Sequence, residues 1–440
     1  MKSVQESLSL LQPKLLRAKQ GNVLAPRWGR TVFWIATLVL CFTSMPLAAQ
    51  EKPKPEEPKV NPLEIRTPDP LLPQQSKKRT LSPEEQSRLR GSLDEFNAQA
   101  TALLQAGKPL EAFEIWYREL RLRRALGYLE EVQALGRVGE IAWQRTQKED
   151  AKVITMRLQA IQKEVEDKKL MNLELLKALG QAYQQVRLLE PAVGVYEKVL
   201  ADARTRSDSA AQETTLKTLA ELNLAWFDYP KAAAAYEELL AQAQEKGDRV
   251  NETVYLQQLL YVYDQAKQPA NALKTKERLA QTYLNQKDFT KIPALKIAIG
   301  SDYEALAQLD EASKKSQEAI DHLEKASQNY QEAYSLAWSS RQFAYASEAL
   351  KKLGTLYHSR DQPQEALQVY EVLLKSEQLA VNYYGLMDAY DRIGQIYLEQ
   401  KNYPQALAVF QKGLELAKSL QYQEAYFSDR IERATKQSAQ

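Results

Sequence analysis

Leu179-Gly180-Gln181-Ala182-Tyr183, followed by Ala192 and Tyr196, is the stretch that decides the fold. Counted from Gly180, an aromatic, a small residue and a second aromatic stand at +3, +12 and +16. Gly354 repeats these offsets with Tyr357, Ala366 and Tyr370, and Gly394 repeats them with Tyr397, Ala406 and Phe410. Partial copies surround them. Leu260, Tyr263 and Ala272 end on Lys276, and Gly300, Tyr303 and Ala312 end on Ser316. Ala220, Ala232 and Tyr236 keep two offsets, as do Ala100, Ala112 and Trp116. Near 140 the register blurs between Gly139 and Trp143. Anchors therefore fall at 100, about 140, 180, 220, 260, 300, 354 and 394, a beat of 40 residues with one interval 14 too long. A fixed period of this size marks a stack of supersecondary units.

The physics inside one unit predicts two helices. Leu173, Leu176, Leu179, Tyr183 and Val186 recur at three and four residues, the period of a helix with one buried face. Small residues at 180 and 192 let two helices approach closely, and the aromatics at 183 and 196 fill the space beside that approach. Pro109, Pro191, Pro230, Pro269, Pro363 and Pro404 each fall just before the small residue of the second helix. That is the first helical turn, where proline is tolerated because its missing N–H would have no partner.

Leu-Gly-x2-Tyr followed by Ala-x3-Phe resembles the tetratricopeptide repeat over roughly 90 to 430. The resemblance implies an all-α fold, a right-handed superhelical solenoid of antiparallel helix pairs. The period of 40 exceeds the family's usual ~34 residues, which predicts longer helices or turns. About eight repeats fill 82–430, closed by a C-terminal capping helix from 420, and 431–440 is a polar tail. The long interval is expected to be either a functional insertion in 310–337 or a simple lengthening of two helices.

Composition bounds the chemistry. The chain has 440 residues, one cysteine (Cys41) and two histidines (His322 and His358), too few for a disulfide scaffold or a cysteine-rich zinc site. No phosphate loop, dinucleotide fingerprint, HExxH or GxSxG is present, and no cofactor or metal is predicted. The net charge of +2 is misleading, because 1–50 carry six basic residues and one acid. The rest holds 53 basic against 56 acidic residues, a net of −3, which disfavours nucleic acid as a partner.

The leader has an address. Residues 31–49 contain no charge, follow Arg27 and Arg30, and end in Ala48-Ala49-Gln50. A basic flank, an apolar stretch and small residues are the parts of a secretory signal, and nineteen uncharged residues could also span a bilayer. Residues 1–49 are therefore read as a signal peptide or a membrane anchor that places the remainder in a periplasm or lumen-like compartment. Leu38-Val39-Leu40-Cys41 is a poor lipoprotein site, since a bulky Leu precedes the Cys. Residues 50–81 form a proline-rich linker, expected to be disordered and extended. At its end, Ser82-Pro83-Glu84-Glu85 can cap a helix.

The resemblance implies that first helices line a concave face and bind extended peptides or partner helices. Positions three before and one after each anchor give the candidate groove: Lys177, Gln181, Lys217, Glu221, Gln257, Tyr261, Lys351, Thr355, Asp391 and Gln395. The family's paired Lys and Asn for a terminal carboxylate are not matched, because Gln181 stands where Asn is expected and Glu221 sits beside Lys217. Arg118, Arg121 and Arg124 form a candidate basic patch that could dock an acidic partner, against the reading of a helix back paired with Glu114 and Glu119. The sequence thus predicts a non-catalytic scaffold for proteins or peptides. The alternatives are an enzyme with a site in 310–337 and a polyanion-binding adaptor that uses 118–124.

Overall fold

The structure is a computed structural model that describes residues 61–65, 67–72 and 81–439. The chain divides into two units, Met1–Lys59 and Val60–Gln440, and every described residue belongs to the second. The leader at 1–49 lies outside the described residues. Among the described residues no helix is long and apolar enough to cross a membrane.

Seventeen α-helices and no strand occur among the described residues. They are α1 (Pro83–Gln105), α2 (Pro109–Arg123), α3 (Tyr128–Gln144), α4 (Lys148–Asp167), α5 (Leu173–Gln185), α6 (Leu189–Thr205), α7 (Ser209–Ala225), α8 (Tyr229–Glu245), α9 (Arg249–Gln265), α10 (Pro269–Gln286), α11 (Ile292–Ala312), α12 (Ser316–Ser339), α13 (Phe343–Ser359), α14 (Pro363–Leu379), α15 (Tyr383–Glu399), α16 (Tyr403–Leu420) and α17 (Glu424–Ser438). Consecutive helices pair, giving eight pairs and a closing helix. The fold is the all-α, tetratricopeptide-like solenoid that the 40-residue beat predicts. Ser82 begins it as expected: Glu85 N donates to Ser82 Oγ at 3.2 Å and Ser82 N donates to Glu85 Oε2 at 2.7 Å.

Glycine-to-ring contacts hold the pairs shut. A Cβ on Gly354 would stand 2.4 Å from the Tyr370 ring, and one on Gly394 would stand 2.4 Å from Phe410. Gly180 lies against Tyr196 in the same way. These are the +16 partners of the sequence pattern, and Ala192, Ala366 and Ala406 beside them are wholly buried. Tyr183 is buried as well, and its hydroxyl donates to Gln162 Oε1 at 2.6 Å. Tyr357 and Tyr397 are only partly covered and pack beside the core.

In the long interval the structure departs from the pairing that the offsets predict. Gly300 does not face Ser316. Its ring partner is Tyr330, 2.6 Å from where a Cβ would stand, and the buried small residue before it is Ala326. The extra 14 residues lie between Gly300 and Ala326, at the far end of a longer hairpin. They lengthen α11 to 21 residues and α12 to 24, against 17 each for α13 and α14. Near 140 the geometry also differs. Trp143 is exposed, while Gly136 and Gly139 both close on α5, where a Cβ would meet Gln185 and Val186.

Many of the turns between helices share one backbone. In the α5–α6 turn Arg187 takes φ 59°, and Leu188 N donates to Tyr183 O at 2.8 Å, a Schellman closure. Lys267, Arg341, Asp361, Val381 and Lys401 occupy the same left-handed place in later turns, and Gly247 holds it between α8 and α9.

The described part of the proline-rich stretch lies on the first pair. Leu63 is buried in the main core, and Leu72 packs with Leu89 and Leu93. Asp69 accepts from Arg118 Nε at 2.7 Å and from Nη2 at 3.1 Å, and Pro62 O accepts from Arg121 Nη1 at 2.6 Å.

Candidate functional site: an acidic cleft at the C-terminal end

First helices of successive repeats touch side by side, and the groove candidates sit on that layer. Lys351 on α13 pairs with Asp388 on α15 at 2.7 Å, and Arg392 on α15 donates to Thr355 on α13 at 3.2 Å. One repeat on, Arg430 on α17 donates to Gln395 at 3.0 Å, and Tyr426 donates to Asp391 Oδ2 at 2.9 Å. Helix α17 therefore stands in the place of a ninth first helix. Earlier in the array Lys217 pairs with Glu213 at 2.9 Å and lies over the Tyr255 ring, and Gln257 donates to Tyr283 at 2.9 Å. Lys177, Gln181, Glu221 and Tyr261 are exposed on α5, α7 and α9.

Two of the ten groove candidates, Lys351 and Asp391, come together in one cleft of about 890 Å³. The other eight do not line it. The cleft lies where the N-terminal halves of α13 and α15 meet the end of α14 and the start of α17. Its charged lining is Glu348, Glu377, Asp388 and Asp391, against a single cation, Lys351. Around it stand Tyr384, Tyr422 and Tyr426, all exposed, with Tyr384 and Tyr422 edge to face at 5.3 Å.

Compensation of these carboxylates is uneven. Asp388 holds both Lys351 and Arg392, the latter at 3.0 Å. Burial would raise its pKa, but these two cations outweigh burial and hold the carboxyl below its ordinary range. Asp391 has the Tyr426 hydroxyl on one oxygen. Arg430 Nε lies 3.3 Å from the other, in charge contact but outside hydrogen-bond geometry. Glu377 is different. It is 5% exposed, and its Oε2 is buried with no hydrogen-bond partner. Burial pushes its carboxyl above the ordinary range, against the opposite pull of Asn382, Ser347 and Lys351. The carboxylate reaches this place because Gly385 has no side chain; a Cβ there would stand 2.3 Å from Glu377 Cδ.

Sequence reasoning passed over Glu377, Gly385 and the three tyrosines. The available signal was Tyr383-Tyr384-Gly385 at a helix start, echoed by Tyr422 and Tyr426 about one repeat later.

The arginine patch has partners inside the chain. Arg118 is paired with Asp69, Arg121 bonds Pro62 O, and Arg124 pairs with buried Glu131 at 2.8 Å. Arg157 holds the same Glu131 at 2.6 Å, and buried Glu119 is held by Arg123 and Arg137. Residues 310–337 form the end of α11, the turn after it and nearly all of α12. Asp310 binds His322 Nδ1 at 2.7 Å, and His322 stacks near Tyr303. His358 pairs with Glu399 at 2.7 Å on the surface. Among the described residues no group of three metal-ligating side chains comes together.

Comparison with known proteins bears on the repeat. Residues 345–419, nearly all of α13 to α16, match the family model described as tetratricopeptide repeat. No curated protein matches the sequence. Among solved structures, BtubC from P. vanneervenii is 20% identical, covering 53% of this chain and 92% of that one at a TM-score of 0.31. MamA is 21% identical over 46% of this chain and 98% of its own, at a TM-score of 0.29. A signal transduction ATPase with a tetratricopeptide repeat sensor, from Pyrococcus horikoshii, is 16% identical over 81% of this chain and 50% of its own, at 0.36. The family match is thus confined to residues 345–419, and the described chain as a whole is an all-α solenoid of antiparallel helix pairs.

Proposed function

We propose that this protein is a non-catalytic scaffold that binds other polypeptides along the layer formed by its first helices. The observation that carries the reading is the cleft between α13, α15 and α17, where exposed tyrosines and acids from successive repeats share one recess. Aromatic rings give large contact area at little entropic cost, which suits recognition of chain segments. The repeat fold itself supports a protein-interaction role. The test is affinity capture with the full-length chain, beside a variant with Lys177, Tyr261 and Lys351 all changed to Ala. The expected result is a discrete set of polypeptides retained by the native chain and lost from the variant. Equal retention by both overturns the reading.

The site of action is proposed from the leader. Residues 1–49 direct the solenoid across a membrane, as a cleaved signal or as a tether through 31–49. Fusion of residues 1–60 to a reporter active only outside the cytoplasm is expected to give signal, and changing Leu38, Val39 and Leu40 to Arg is expected to silence it.

A further inference from the structure

We infer that the cleft between α13, α15 and α17 is a receptor for one basic side chain, the guanidinium or ammonium of an Arg or Lys in a bound polypeptide. The inference rests on the scaffold reading and adds the chemistry of what is held.

Three features point the same way. First, the charge is unbalanced. Four carboxylates line the recess; Lys351 and Arg392 are committed to Asp388 and Arg430 lies beside Asp391, which leaves Glu348 and Glu377 in no ion pair among the described residues. Second, Glu377 is nineteen-twentieths buried, lines the recess, and keeps one oxygen without a hydrogen bond. A buried unpaired acceptor is unfavourable until a donor arrives, and the strongest complement of a carboxylate is a cationic N–H donor. Third, the rim is aromatic. Tyr384, Tyr422 and Tyr426 offer ring faces and edges at the mouth, and ring faces attract cations. Arg430 already lies 4.9 Å from the Tyr426 ring centroid, so one such contact exists at this wall.

Size favours a side chain carried on a longer segment. A recess of about 890 Å³ falls in the upper range of ligand clefts, larger than one cationic head requires. The alkyl stem and flanking backbone would lie across the exposed tyrosines, with the charged head toward Glu377. An anionic segment is disfavoured by the same lining.

The experiment uses the full-length chain and three blocked pentapeptides, acetyl-Gly-Ser-X-Ser-Gly-amide, with X as Arg, Lys or citrulline, measured by calorimetric titration. Citrulline keeps the shape of Arg without its charge. The Arg or Lys peptide is expected to bind at least tenfold more tightly than the citrulline peptide, and E377Q is expected to abolish that preference. Because E377Q could disturb packing beside Gly385, E348Q and Y384L on the exposed rim form a second arm, each expected to weaken the charged peptide severalfold with an unchanged melting temperature. Equal binding of charged and neutral peptides overturns the inference, as does a preference that survives all three variants. Free arginine amide binding as tightly as the Arg peptide also overturns it, by assigning the recess to a small cation. The scaffold reading fails separately: it falls if the full-length chain and its triple-Ala variant capture the same proteins, whatever the pentapeptides do.

Discussion

At the scale of single residues, the glycine-to-ring contacts set the interhelix distance. Gly354→Ala drives a methyl to within 2.4 Å of Tyr370, a side chain fixed by burial. We expect a loss of about 1–3 kcal/mol in denaturant unfolding, the usual cost of overpacking. Gly194 has nothing within 4 Å of its would-be Cβ and sits mid-helix, so Gly194→Ala should stabilise by about 0.5–1 kcal/mol in the same assay. Glu377 gives a pH signature. Its carboxyl is raised above the ordinary 4.5, so the native state keeps a proton that the unfolded chain has released. Stability from this group is complete below pH ~4.5 and is lost as pH climbs through the raised native value. E377Q should therefore gain stability relative to native as pH rises from about 4 to 7, and a constant difference in melting temperature would refute this.

The same residues show what a sequence can and cannot disclose. Gly180–Tyr196, Gly354–Tyr370 and Gly394–Phe410 were legible because both partners lie in one hairpin at a fixed offset. Gly300 was matched to Ser316 because an insertion moved its true partner to Tyr330, and the hydroxyl left at the expected place carried no warning. Glu377 was illegible for another reason. A glutamate near a helix end reads as solvated surface, and only the meeting of α13, α14, α15 and α17 buries it. Arg118 and Arg121 were open to two readings, a docking patch or a helix back paired with Glu114 and Glu119, and neither found their partners, Asp69 and Pro62, which lie 49 and 59 residues away in a stretch whose composition predicts no order.

At the scale of elements, the α11–α12 hairpin shows how the array absorbs extra chain. Fourteen residues split over two antiparallel helices are seven per arm, close to two turns, so the buried faces return to register. Removing 306–312 and 316–322 while keeping Ser313, Lys314 and Lys315 should then leave a folded protein. The lost burial of Ala307 and Ala319 and the part burial of Leu306 set the cost at about 2–4 kcal/mol. Thermal unfolding with native helical content checks this, and collapse of helicity would show that the tip organises the repeat.

At the scale of the whole molecule, each pair leans only on its neighbours, so damage at one end should stay local. Helix α17 buries Phe427 against Gly413 and closes α16. A chain ending at 420 should show faster amide exchange in α15 and α16, with α5 to α8 unchanged. It should also lose the arginine-peptide preference, since Tyr422, Tyr426 and Phe427 leave with the closing helix.

The clasp of Asp69 by Arg118 has a mechanical consequence. Tension applied at residue 61 does not begin by peeling α1 from its end. The load passes sideways into α2 through the guanidinium and through the Arg121 bond to Pro62 O, so the first helical hairpin is pulled as a block. Breaking that latch with Asp69→Ala should let α1 unravel at lower force in a single-molecule stretching trace.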